Sequence, residues 1–173
     1  MSALAAFKSI TTFVFDVDGV LTDGSLLIMN DGSWARTMNI KDGYALQLAV
    51  KKGYRVVVIS GGSSEAVKER LHKLGITDVF MPATGKKDIL IQYAMEKGLR
   101  WDEILFMGDD MPDYEVMQLV GLPCCPADAV QEIKSLSHYI SHIDGGRGCA
   151  RDVIEKVLKL NGHWHADTFI PAK

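Results

Sequence analysis

Phe13-Val14-Phe15-Asp16-Val17-Asp18-Gly19-Val20-Leu21-Thr22-Asp23 is the stretch whose reading decides the fold. Residues 13–17 are short, aromatic and β-branched, which predicts a buried strand. Side chains alternate along a strand, so Asp16 and Asp18 are expected on one side with Val17 on the other. Gly19 then releases the chain into a turn. Two carboxylates are thus expected together at the carboxyl end of a buried strand, where open α/β sheets place their ligands. Like charges that close repel unless a cation or a shared proton compensates.

Strands and helices alternate outward from this point. Strands are predicted at 54–59, 79–81, 104–107, 122–125 and 139–141. Helices are predicted at 43–52, 63–74, 86–97, 112–120 and 127–136, with a last one ending at Leu160. Residues 26–38 read as a β-hairpin turning at Asp31-Gly32. The repeated βα pattern predicts an α/β fold, a Rossmann-like doubly wound parallel sheet with helices on both faces. Neither an internal repeat nor a linker divides residues 1–173, so a single domain is expected, with a polar, mobile tail over 161–173.

The 173 residues are enough for one full core, and 47% hydrophobic with 24% charged residues is ordinary for a globular chain. A net charge of -3 without a basic run argues against nucleic acid as a partner. No apolar segment approaches the roughly 20 residues that span a bilayer. The start of the chain lacks a signal-peptide pattern. Cys124, Cys125 and Cys149 read as reduced core thiols, and a cytoplasmic location is expected.

Four chemical groups fall at strand ends or helix starts: Asp16 with Asp18, Ser60-Gly61-Gly62, Lys86, and Asp109-Asp110-x-x-Asp113. Strands of one parallel sheet point the same way, so these groups converge. Clustered carboxylate oxygens suit a hard cation such as Mg²⁺. A hydroxyl, free amides and a lysine suit phosphate oxygens. Phosphate is the substrate group that uses every part at once.

These segments, with Gly108-Asp109-Asp110-Met111-Pro112-Asp113 as the last, resemble the four ordered motifs of the haloacid dehalogenase superfamily of phosphohydrolases. Asp18 to Gly24, Lys41-Asp42-Gly43-Tyr44, Arg70 with Leu74-Gly75-Ile76, and Gly145-Gly146-Arg147-Gly148 resemble, more narrowly, its 3-deoxy-D-manno-octulosonate 8-phosphate phosphatases. The resemblance implies a hairpin in place of a mobile cap, and a homotetramer in which a neighbour helps close each site. It implies Asp16 as nucleophile and Asp18 as acid and base, the latter lending its carbonyl to Mg²⁺. Asp16 and Asp109 would be side-chain ligands, with Asp113 or Asp110 behind them. Ser60 and Gly61 would hold phosphate, and Lys86 would neutralise charge. Lys41, Arg70 and Arg147 would anchor a phosphorylated sugar acid.

The octulosonate phosphatases usually carry an arginine directly after the glycine of the second motif, where this chain has Gly62. A nonulosonate 9-phosphate is therefore an alternative substrate. Two other classes fit less well. A signalling receiver domain places its acid pair and its acceptor on separate strands, and a non-catalytic relative has no need of Asp16, Asp18, Lys86 and Asp109 together. His163 and His165 in the tail are either a metal-ligand pair or solvated residues.

Overall fold

The apolar run becomes β1, Thr12–Phe15, at the centre of a six-stranded sheet. The computed structural model describes residues 3–171. A hairpin of β2 (Leu27–Ile28) and β3 (Trp34–Ala35) follows β1. Next come β4 (Arg55–Ile59), β5 (Asp78–Phe80), β6 (Ile104–Met107), β7 (Leu122–Cys125) and β8 (Tyr139–Ile140). The sheet order is β5-β4-β1-β6-β7-β8, with every neighbouring pair parallel. Strand order reverses beside β1, so the crevice at its carboxyl end is the switch point where such sheets bind ligands.

Parallel strands bury both faces under helices. One layer holds α1 (Ala3–Ser9), α2 (Ile40–Lys51), α3 (Glu65–Lys73) and α7 (Cys149–Leu160). The other holds α4 (Lys86–Lys97), α5 (Tyr114–Met117) and α6 (Gln131–Leu136). Alternation along β1 feeds both layers. Phe13 and Phe15 pack with Leu46, Leu71 and Val153, whereas Val14 packs with Val57, Leu90 and Ile133. The expected doubly wound architecture is thus observed.

Several boundaries differ from expectation for local reasons. α2 begins at Ile40 because Asn39 caps it, its side chain accepting the Lys41 N–H at 2.8 Å. The helix after Pro112 is a 3₁₀ turn, Met111–Asp113, and then the short α5. The chain is drawn away by Gly121, whose N–H donates to Trp101 O at 2.7 Å and which packs on the Asp102 backbone. α1 was not expected from the sequence.

The described part of the tail is not free. Tyr54 Oη lies 2.9 Å from His163 Nδ1, and Tyr44 Oη accepts the Asp167 N–H at 3.2 Å. Trp164 packs edge-on to Tyr44, with the Arg151 guanidinium over both rings. His163 thereby packs edge-on to Tyr54, just ahead of β4. Leu26, Leu27, Ile28, Met29 and Trp34 of the hairpin, with Ile40 beside it, are exposed. No helix among the described residues is long and apolar enough to cross a membrane. The three cysteines are buried and free.

Candidate active site

β1 presents Asp16 at its carboxyl end, where the Asp16 N–H still donates to Met107 O at 3.1 Å. The chain then leaves the sheet in one wide turn, Val17–Leu21, closed by the Thr22 N–H on Val17 O at 3.0 Å. Gly19 makes the turn possible at φ +85°, and a Cβ there would lie 2.0 Å from Asp109 Oδ2. Gly145 and Gly146 brace the turn from behind. The Gly146 N–H donates to Val20 O at 2.8 Å, and a Cβ on Gly145 would lie 2.0 Å from Gly19 O. The Gly-Gly-Arg-Gly motif therefore needs its first two glycines for close backbone approach.

This turn corrects the expected placement of Asp18. The residue lies in the turn rather than on a strand, since β1 ends at Phe15. Asp18 is bound by Arg36 of the hairpin, with Nε 2.6 Å from Oδ1 and Nη2 3.3 Å from Oδ2. Arg36 carried no sequence motif and was missed. The available signal was an arginine in the hairpin opposite a second motif that ends in glycine.

Asp16, Asp109 and Asp113 offer carboxylate oxygens within 4.8 Å of one another. β6 places Asp109, and the following 3₁₀ turn places Asp113, which is fully buried. Lys86, first residue of α4, joins the group. Its Nζ lies 2.8 Å from Asp16 Oδ2 and 2.7 Å from Asp113 Oδ1. Asp113 Oδ2 accepts the Asp109 N–H at 3.1 Å, so both of its oxygens are engaged. Asp110 is exposed and its side chain caps the next turn, accepting the Met111 N–H at 2.7 Å. Of the two acids left open by the sequence, Asp113 is buried within the cluster, whereas Asp110 is exposed and lines the same cavity.

Electrostatics follow from this crowding. Burial, then repulsion from Asp113, pushes the Asp16 carboxyl up to about 6, although Lys86 pulls it down. Burial, then Asp113, Asp16 and Asp110, pushes Asp109 up to about 8. Burial opposes the charge on Lys86, but Asp113 and Asp16 outweigh it and hold the ammonium above its ordinary value.

Asp109 Oδ1 is buried with no hydrogen-bond partner. An orphaned carboxylate oxygen beside two more acids is the donor set of a hard divalent cation. Asp16 and Asp109 fit magnesium as side-chain ligands. Asp113, with both oxygens committed, fits a supporting position behind them.

Without a cation the folded chain holds protons on Asp16 and Asp109 at pH values where the unfolded chain, with carboxyls near 3.8, has lost them. Buried Asp42, pushed up to about 6 by burial, acts in the same direction. A folded state that binds the extra protons loses stability as pH rises. The metal-free protein is therefore expected to melt at a lower temperature at about pH 9 than at about pH 5, with magnesium narrowing the gap. Melting curves in chelator and in magnesium check this, and a melting temperature that climbs with pH in chelator contradicts it.

Ser60 is buried at the end of β4, its Oγ accepting the Gly62 N–H at 3.4 Å. Ser60, Gly61, Gly62, Lys86, Asp16, Asp18 and Asp109 line one cavity of about 290 Å³. Arg70 is elsewhere, in an adjoining cavity of about 460 Å³ between the hairpin and α3, with its Nε buried and unpartnered. Lys41 and Arg147 are not at the acid cavity of their own chain. They line a separate basic cavity of about 500 Å³ with Arg151 and Lys156. Asp42, between Lys41 and Gly43, is structural. Its buried Oδ1 accepts the Arg151 N–H at 2.7 Å and ties α2 to the first turn of α7.

Residues 75–150 match the family model of haloacid dehalogenase-like hydrolases. Over 155 residues the chain is 31% identical to the 3-deoxy-D-manno-octulosonate 8-phosphate phosphatase KdsC of Salmonella typhi, covering 90% of this chain and 82% of that protein. The chain is a haloacid dehalogenase-like hydrolase. KdsC of Yersinia pestis is 32% identical over 161 residues, covering 89% of this chain and 84% of that protein. A solved 3-deoxy-D-manno-octulosonate 8-phosphate phosphatase from Moraxella catarrhalis, in complex with magnesium, phosphate and KDO, superposes with a TM-score of 0.87 at 29% identity. It covers 91% of this chain and 90% of that one. The fold is therefore shared over nearly the whole of both chains.

Proposed function

We propose that this hydrolase is a magnesium-dependent phosphomonoesterase whose substrate is 3-deoxy-D-manno-octulosonate 8-phosphate, releasing the free sugar acid and phosphate. The observation that carries the reading is the Asp16, Asp109 and Asp113 cluster, bridged by buried Lys86 and opening on Ser60 and Gly61. The identity to KdsC phosphatases over most of both chains supports the substrate.

In this mechanism an Asp16 carboxylate oxygen attacks phosphorus, and the bond from phosphorus to the sugar oxygen breaks. Asp18 gives its proton to that leaving oxygen. Water then attacks the phosphoryl group on Asp16, Asp18 recovers a proton from it, and inorganic phosphate leaves. Lys86 holds Asp16 in place and offsets the charge of nucleophile and phosphate. The Ser60 hydroxyl and the Gly61 amide hold phosphoryl oxygens. The carboxylates of Asp16 and Asp109 and the Asp18 carbonyl would hold magnesium, with Asp113 behind them, and the bound ion would supply charge neutralisation for the transferring group.

The domain spans 1–173 and works in the cytoplasm. The exposed apolar hairpin supports self-association, as a homotetramer in which each neighbour helps close a site. That arrangement gives Lys41 and Arg147 a role, because a subunit contact can present the cavity they line to a neighbour's substrate.

Phosphate release from 3-deoxy-D-manno-octulosonate 8-phosphate, a nonulosonate 9-phosphate, simple hexose phosphates and an aryl phosphate tests the reading. The octulosonate ester is expected to give the highest kcat/KM. A higher value for the nonulosonate ester, or equal turnover of all, contradicts the substrate.

A further inference from the structure

Arg36 stands where the acid cavity meets the cavity between the hairpin and α3. Its side chain is only 7% exposed, although it comes from an otherwise exposed hairpin. Its guanidinium passes over Gly62. A Cβ at position 62 would lie 2.9 Å from Asp18 Oδ2 and 3.3 Å from Arg36 Nη2. Glycine at 62 and arginine at 36 are thus one spatial solution. A longer side chain at 62 would compete for the place the guanidinium takes.

The phosphate-holding groups, Asp16, Ser60, Gly61 and Lys86, line one cavity, and Arg36 lines the next one with Ser64, Trp34 and Arg70. Asp18, the proton carrier of the proposed reaction, lies between them. A monoester with its phosphorus near Asp16 has its leaving oxygen near Asp18. The rest of the alcohol then passes Arg36. Arg70 Nε, buried without an acceptor, marks the same cavity as one that lacks a hydrogen-bonding partner. A fork of N–H donors recognises carboxylates and oxygen-rich groups in two-point fashion.

Resting on the phosphatase reading above, we propose that Arg36 is a specificity-determining residue. It leaves Asp18 when substrate enters and binds the oxygen-rich, acidic alcohol portion, so that the hairpin supplies the cation that position 62 lacks. The substrate class favoured is a phosphate ester of a hydroxylated carboxylic acid over one of an apolar alcohol.

The test compares kcat/KM on 3-deoxy-D-manno-octulosonate 8-phosphate with that on p-nitrophenyl phosphate for wild type, Arg36→Met and Arg36→Lys, with magnesium present. The ratio is expected to fall by about 10- to 100-fold in Arg36→Met, the worth of a charge-assisted hydrogen bond, mainly through KM for the sugar acid ester. Arg36→Lys keeps the charge but not the fork, and is expected to lose part of the ratio. It also carries the test should Arg36→Met fold poorly. A ratio unchanged in both variants, whether both substrates slow together or neither does, overturns the proposal. Wild type that prefers the aryl ester overturns the substrate reading itself, before any variant is compared.

Discussion

Asp16→Asn is expected to lose turnover by about 10⁶-fold, the scale of deleting a nucleophile that acts as a unit with its neighbours. The loss is chemical rather than structural. The amide keeps the volume and still accepts the Val17 N–H that Asp16 Oδ1 now accepts at 2.7 Å. Lys86 keeps its second partner, Asp113, at 2.7 Å. The substitution also removes one charge from a crowded acid cluster, where repulsion from Asp113 contributes to holding the Asp16 carboxyl at about 6. The variant is therefore expected to melt at or above the wild-type temperature in chelator near neutral pH. Steady-state phosphate release and a melting curve on the same preparation check both halves. Near-normal turnover excludes Asp16 as nucleophile, and a collapsed melting curve transfers the loss to folding.

Removing divalent cations with EDTA is expected to lower turnover by at least about 10³-fold, since a metal at a transferring phosphoryl group stabilises several kcal/mol of developing charge. Magnesium is expected to restore it. The same cation offsets the burial and the repulsion that together push Asp109 up to about 8 and Asp16 up to about 6. Binding to the folded state alone raises stability by about 2.7 kcal/mol at a hundredfold excess over Kd, so the melting temperature rises as magnesium is added. This second readout does not depend on substrate. A protein with full activity in EDTA, or one whose melting temperature ignores magnesium, contradicts the assignment of Asp16 and Asp109. Asp109→Asn separates ligand from bystander, since it is expected to lose both the activity and the magnesium-dependent shift in melting.

The architecture was legible because its signals are local. Phe13, Val14 and Phe15 are apolar without interruption, as a strand buried on both faces requires, and glycines such as Gly98 end helices where expected. The acid cluster was legible because parallel strands bring their carboxyl ends together whatever lies between them. Asp113 and Lys86 follow from that geometry, and burial pairs them at 2.7 Å.

What escaped the sequence depends on turns and on distant contacts. Asp18 departs from strand alternation because β1 ends at Phe15 and Asp18 already lies in the wide turn Val17–Leu21, which Gly19 at φ +85° allows. Arg36 reaches Asp18 across 18 positions, and no periodicity encodes that contact. The tail read as solvated because His163, His165 and Asp167 are polar, yet Trp164 carries it onto Tyr44 and Arg151. Lys41 and Arg147 have the charge expected of substrate anchors but face a different cavity in their own chain.

Phosphoryl transfer to Asp16 is the step on which the proposed activity rests. Its most direct measurement is mass spectrometry of enzyme mixed with 3-deoxy-D-manno-octulosonate 8-phosphate and magnesium, quenched in acid during turnover and digested. The prediction is one added phosphoryl group on the peptide containing Asp16, absent from Asp16→Asn and lost on base treatment as an acyl phosphate is. A phosphoryl group on any other residue, or turnover by Asp16→Asn at the wild-type rate, would contradict it.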